Sequence, residues 1–227
     1  MSNPIKNLTA KEWGLWLSSL TVVILSNLWS GEIDLLTLIA VCVGATALVF
    51  AAKGNVWAQF LMIVFCILYG VISWRFRYWG EMITYLGMSL PMAIWSSVTW
   101  LRNPSENGSE VAIRKLTKKQ GAAVVAIAAV TTFVFWFLLR GLSTPNLLIS
   151  TISVATSFLA ASLTMLRSSY YALGYAANDI VLIILWTLAS LKDPGYWPVT
   201  VNFVIFLIND LYGFASWKKR ECGVSAE

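Results

Sequence analysis

The chain has 227 residues, 58% of them hydrophobic and 12% charged, at a mean hydropathy of +0.72. That balance excludes an ordinary soluble domain, and the net charge of +5 is not a nucleic-acid footprint, because the basic residues sort to one side of the predicted helices. With no histidine and three cysteines in no CxxC pattern, a His-based triad, a histidine metal site and a disulfide framework are excluded as well.

Eight apolar stretches follow one another: 13–29, 33–52, 56–73, 81–100, 121–142, 146–165, 168–189 and 196–217. Each holds about 17–23 residues, and about 20 helical residues cross a ~30 Å hydrocarbon core. Strict alternation in runs of ~10 residues is absent, which argues against a transmembrane barrel. The first stretch has the charged start of a signal sequence. Only Asn27-Leu28-Trp29-Ser30-Gly31 follows it, with no small-x-small site, so it reads as a retained helix.

The substantial polar segment is 101–120, with turn chemistry at Asn103-Pro104 and Asn107-Gly108 and a basic run at its end. It separates two units of three spans, 33–100 and 146–217, and the single helix 121–142 joins them. An odd number of crossings between two such units makes both enter from the same side, the arithmetic of a parallel repeat. At an offset of 117, Trp95 falls on Tyr212, Trp100 on Trp217, Tyr69 on Trp186 and Ser73 on Ser190. The expected fold is all-α: a polytopic transmembrane bundle of two parallel three-helix repeats and a linker helix (3+1+3), preceded by an additional helix. Its parts are 1–32 (tail and additional helix), 33–100, 101–145 (loop and linker helix), 146–217 and the basic tail 218–227.

If all eight stretches cross, twelve Lys and Arg, from Lys6 to Arg220, fall on one side, and only Arg75, Arg77, Arg140 and Lys192 on the other. The positive-inside rule then makes this a multi-pass cell-membrane protein with both termini cytoplasmic.

Polar groups within the spans are the informative ones, since a charge at mid-depth costs at least ~2.5–3.5 kcal/mol. In 168–189, Tyr171, Tyr175 and Asn178 share one helical face, with Asp179 and Trp186 at its edge. In 196–217, Asn202, Asn209, Gly213 and Ser216 form a stripe flanked by Asp210 and Tyr212 and closed by Trp217. Span 81–100 adds Ser89, Ser96 and Trp100, with Pro91 able to kink it and free a carbonyl for a cavity. The plain alternative is that Asn and Ser hold helices together at about 0.6 kcal/mol per bond, while the tryptophans near span ends anchor at the interface.

No Walker sequence, arginine-rich helix or TVGYG-like filter is present. What remains is a non-enzymatic transporter of a small ring-bearing solute, with no cofactor and no metal. The candidate substrate-binding residues are Tyr69, Trp100, Tyr171, Tyr175, Asn178, Asp179, Trp186, Asn202, Asn209, Tyr212 and Trp217. An intramembrane aspartyl protease using Asp179 and Asp210 is the rival from another class. The contexts Asn178-Asp179-Ile180 and Asn209-Asp210-Leu211 lack the Y-D and G-x-G-D of presenilin-like enzymes. A non-transporting assembly subunit is a further alternative.

The run Leu207-Ile208-Asn209-Asp210-Leu211-Tyr212-Gly213-Phe214-Ala215-Ser216-Trp217-Lys218-Lys219 resembles the closing helix N-x-x-Y-G-x-x-x-W-K-K of the PnuC family of vitamin transporters. Lys53-Gly54-Asn55, Gly80-Glu81-Met82, Pro91 and the loop Glu110–Thr117 match as well, so the resemblance spans about residues 50–217. It implies a fold like that of the sugar-transporting SWEET proteins. It also implies facilitated diffusion of nicotinamide riboside or a related vitamin or nucleoside, trapped afterwards by a cytoplasmic kinase. The bilayer is the expected surrounding, and a homo-oligomer is left open.

Nicotinamide riboside members of that family show W-x-x-W ahead of the buried Asn. Here the stretch is Tyr170-Tyr171-Ala172-Leu173-Gly174-Tyr175-Ala176-Ala177-Asn178, and Phe65, Tyr85 and Ala93 stand where the family pattern is polar. Those departures point to another ring: a deoxynucleoside, thiamine or riboflavin. Asp179 or Asp210 would suit a cation such as nicotinamide riboside or thiamine.

Overall fold

The computed structural model describes residues 4–29, 34–75, 78–106, 108 and 110–223; Arg77 and Asn107, used above for charge sorting and a turn, lie outside them. The chain is all-helical across the described residues apart from one isolated β-bridge, Pro104 with Val111. Its helices are α1 (Ala10–Trp29), α2 (Leu35–Lys53), α3 (Trp57–Arg75), α4 (Trp79–Ile83), α5 (Leu90–Arg102), α6 (Lys118–Gly141), α7 (Leu147–Met165), α8 (Tyr171–Ser190) and α9 (Trp197–Gly223). By length and hydropathy α2, α3, α6, α7 and α8, and α9 with its leading turn, can each cross a membrane.

The fourth predicted span is segmented. A π-helical turn, Thr84–Ser89, joins α4 to α5, and the Leu90 N–H reaches back to the Tyr85 carbonyl. Pro91 follows at the start of α5. Proline has no N–H to continue the regular ladder, and a widened turn is one way to absorb the missing bond. α6 begins with a complete capping box, in which the Thr117 hydroxyl accepts from the Gln120 N–H and the Gln120 side chain accepts from the Thr117 N–H.

Helix packing follows the repeat. α2, α3, α5, α7, α8 and α9 form a closed ring in which each packs on the next and α9 returns to α2. The two units therefore meet at α2 with α9 and at α5 with α7, the first helix of each against the third of the other. The outer helices obey the same rule: α6 packs on α7 and α4, while α1 packs on α2 and α9. The additional N-terminal helix thus stands to the first unit as the linker helix stands to the second.

The loops keep the correspondence. Gly54 ends α2 with φ 74°, and Arg167 follows α7 with φ 58°. The Gly54 and Asn55 N–H groups bond to the Ala51 and Phe50 carbonyls; the Arg167 and Ser168 N–H groups bond to Thr164 and Leu163. These are paired αL caps, 113 positions apart throughout.

Candidate functional site

The ring encloses three levels. At the face carrying the start of α1, the end of α9 and most Lys and Arg (the basic face), a buried cluster of Phe50, Ala58, Trp100, Val111, Tyr171 and Trp217 fills the space. Trp100 donates its indole N–H to the Thr164 carbonyl at 3.0 Å, and Trp217 donates to the Ala51 carbonyl at 2.8 Å. The loop after α5 straps this end. Val111 N–H bonds to the Gly54 carbonyl, Arg114 N–H bonds to the Arg167 carbonyl, and the Arg220 guanidinium pairs with Glu110 at 2.8 Å. Arg220 also lies 4.8 Å over the Trp217 ring.

The middle level is a small cavity of about 50 Å³, walled by Gln59, Tyr85, Ser96, Tyr175, Asn178, Phe206 and the two aspartates among others. Asp179 on α8 and Asp210 on α9 face one another with their carboxyl groups close enough to interact, and Asp179 Oδ2 is buried with no hydrogen-bond partner. The Asn178 Oδ1 accepts from Thr156 at 2.8 Å, Ser157 at 2.9 Å and, more weakly, Ser153 at 3.4 Å. Three hydroxyls from α7 thereby fix the carbonyl end of the amide and leave its NH₂ for the cavity. No basic side chain is among the lining residues.

The third level lies at the opposite face, beyond a layer of Leu48, Phe65, Leu182, Phe203 and Phe206. Two cavities of about 460 and 390 Å³ share Tyr78, Trp186, Asp193 and Tyr196 in their walls. Trp186 packs edge-on to Tyr78 at 5.3 Å and tilted to Tyr196 at 5.6 Å.

The candidate residues divide among these levels. Tyr175, Asn178 and Asp179 wall the central cavity. Tyr69, Trp186 and Asn202 wall the larger cavity at the opposite face. Trp100, Tyr171 and Trp217 are packed at the basic face, with Tyr171 and Trp217 rings 4.6 Å apart.

Asn209 and Tyr212 turn away from the central cavity. Asn209 donates to the Ser19 hydroxyl of α1 at 2.9 Å, and the Tyr212 hydroxyl meets Glu12 and Thr9 at the start of α1. The stripe that periodicity draws on α9 is largely its packing stripe: Gly213 lies against Ala52 and Tyr171, and the Ser216 hydroxyl donates to the Ala52 carbonyl. The central face of α9 runs through Phe203, Phe206 and Asp210 instead. Polarity alone does not separate a face that meets substrate from one that meets another helix.

Gln59 and Phe206 in the cavity wall carry no signal beyond lying in spans. Phe65, Tyr85 and Ala93, the positions at which the sequence departs from the PnuC pattern, all line the central cavity.

A helical ring of two parallel units around a mid-chain cavity, with apolar helices throughout, defines a multi-pass membrane transporter of the 3+1+3 type. The family described as "Nicotinamide mononucleotide transporter" matches residues 34–219, and the chain belongs to it. It is 30% identical over 190 residues to the nicotinamide riboside transporter PnuC of Neisseria mucosa, covering 80% of this chain and 71% of that one. To the protein of the same name from Haemophilus influenzae it is 25% identical, covering 78% and 76%. A solved structure titled as that of the vitamin B3 transporter PnuC superposes with a TM-score of 0.80 at 25% identity, over 94% of this chain and 92% of that one. The family is one of transporters, not enzymes, so the two aspartates are not a protease dyad.

Proposed function

We propose that the protein imports nicotinamide riboside, or a closely related ring-bearing vitamin or nucleoside, through the central cavity. Transport is by facilitated diffusion with alternating access, and the solute is trapped inside by phosphorylation on a cytoplasmic kinase. The observation that carries this reading is the likeness to the nicotinamide riboside transporters, which extends over all the cavity-forming helices. The cavity chemistry supports it: rings to stack on, an oriented amide, and a carboxyl pair with no basic neighbour, suited to a cation or to ribose hydroxyls. A volume of about 50 Å³ is too small for a nucleoside, since ligand pockets run to roughly 300–1,000 Å³. The two units, 33–100 and 146–217, must therefore separate to admit one. The basic face is cytoplasmic, and its packed Trp100–Trp217 end is the inner gate in its closed state.

A second reading keeps the transport and changes the ring. Phe65, Tyr85 and Ala93 line the cavity where the family pattern is polar, which favours a solute with another ring: a deoxynucleoside, thiamine or riboflavin. Uptake into proteoliposomes decides between them, with labelled nicotinamide riboside, thiamine, riboflavin and a nucleoside panel tested in turn. Saturable uptake of nicotinamide riboside that the others do not compete away supports the first reading. Uptake of a different solute supports the second, and absence of uptake for every solute rejects both.

A further inference from the structure

We infer that the larger cavity at the opposite face is a second binding site, separate from the central one, for a flat heteroaromatic ring bearing a carbonyl or carboxamide oxygen. The inference rests on the transport reading above and adds a station to its path. At about 460 Å³ the cavity is of ligand size, and the packed layer of Phe65, Leu182, Phe203 and Phe206 separates it from the central one. Its wall holds the rings of Tyr69, Tyr78, Trp186 and Tyr196, faces on which an aromatic solute stacks.

The polar groups of that wall fix the chemistry of the ligand. The Trp186 indole N–H, the Asn202 side-chain NH₂ and the Tyr69 hydroxyl are buried with no hydrogen-bond partner, in residues only 6%, 2% and 8% exposed. The Tyr69 hydroxyl lies beside the Trp186 N–H but not in hydrogen-bond geometry with it. An indole N–H and an amide NH₂ can only donate. Both oxygens of Asp34 are engaged, by the Thr37 hydroxyl at 2.7 Å and by Arg75 at 3.3 Å, and Asp193, an exposed residue, takes the Gly195 N–H on one oxygen at 2.9 Å. The Asn202 Oδ1 accepts from Asn27 at 3.4 Å. Unused donors beside ring faces call for an aromatic ligand with an exposed acceptor oxygen. The central cavity differs in carrying two carboxyl groups that face each other, which the second wall lacks at its buried donors.

Free nicotinamide, which carries the ring and carboxamide but no ribose, is the probe. Calorimetric titration into the purified full-length protein should give saturable binding. 3-Methylpyridine, which keeps the ring and lacks the acceptor oxygen, should bind at least tenfold more weakly. Trp186→Phe and Asn202→Ala should each weaken nicotinamide at least tenfold, while Asp179→Asn, in the central cavity, leaves its affinity within twofold. Equal affinity for the two ring compounds overturns the site, even if both wall variants fold poorly, because that comparison uses the wild-type protein. Loss of nicotinamide binding in Asp179→Asn alone also overturns it, by moving the probe to the central cavity. If wild-type protein takes up nicotinamide riboside but does not bind nicotinamide, the second site falls and the transport reading stands. If it binds nicotinamide as described but takes up no solute of the panel, the site stands and the transport reading falls.

Discussion

Trp100 and Trp217 sit 5.5 Å apart, ring centre to ring centre, each fully buried and each donating its indole N–H into the other repeat's first helix. The acceptors, Thr164 and Ala51, are also the carbonyls that receive the αL cap bonds of Arg167 and Gly54. One carbonyl per repeat thus closes a helix and holds the other repeat's third helix. The Arg220 guanidinium lies over the Trp217 ring and pairs with Glu110, which connects the loop after α5 to the same joint.

Trp217→Phe keeps most of the ring volume and removes the donor. A buried hydrogen bond contributes about 0.5–1.5 kcal/mol net, so thermal unfolding in detergent should shift by that amount. Trp217→Ala should cost about 3–5 kcal/mol. Gly54→Ala tests the same joint from the backbone: at φ 74°, with the Arg220 guanidinium 2.6 Å from the position of an added Cβ, it should destabilise by about 1–2 kcal/mol. No change in melting temperature in any of the three would show that the joint carries no stability.

Asn178 and Asn209 should separate binding from packing. Asn178 has its carbonyl held by three hydroxyls and faces the central cavity, so Asn178→Ala should weaken solute binding about tenfold, the loss of one well-oriented hydrogen bond. Asn209 bonds Ser19 and the Ile205 carbonyl, and its replacement by Ala should lower the melting temperature with affinity nearly intact. Isothermal titration alongside thermal unfolding reads both; a reversed pattern would return Asn209 to the substrate.

The aspartates should act as a unit. Their carboxyl groups are in contact with no basic residue in the cavity wall, and residues in one network are not additive on mutation. Asp179→Asn and Asp210→Asn should therefore each change the dissociation constant of a cationic solute, and the double variant should be no worse than the poorer single one. A neutral nucleoside should lose little in any of the three. Additive losses would mean that the two carboxyls meet the solute independently.

Orientation can be read with cysteines placed on the exposed residues Glu106 and Lys192 in a Cys222→Ser background, since Cys222 is itself exposed at the basic face. A membrane-impermeant maleimide added to intact cells should label Lys192→Cys and spare Glu106→Cys. The reverse pattern would invert the protein in the membrane and put the packed Trp100–Trp217 end on the outside.

Repeat topology and charge sorting were legible in the chain because each rests on a local or additive property, crossing parity and Lys and Arg counts per loop. Of the eight predicted spans, six are helices long and apolar enough to cross a membrane among the described residues; the first is not among those six, and the fourth is broken into α4 and α5. The Trp100–Trp217 correspondence was visible for the same reason, as a repeat in register. The direction in which each polar stripe points was not. Helical periodicity puts Asn202, Asn209 and Gly213 together on α9, but it does not say that α1 covers the Asn209 part of that stripe. Only the ring closure of six helices brings Asp179 and Asp210 face to face, draws Phe65, Tyr85 and Ala93 into one wall, and sets Tyr69, Trp186 and Asn202 apart in a second cavity. Inside a bilayer, an amide that binds solute and an amide that binds a neighbouring helix satisfy the same need for a partner. Which of the two it does is decided by what the fold places opposite it.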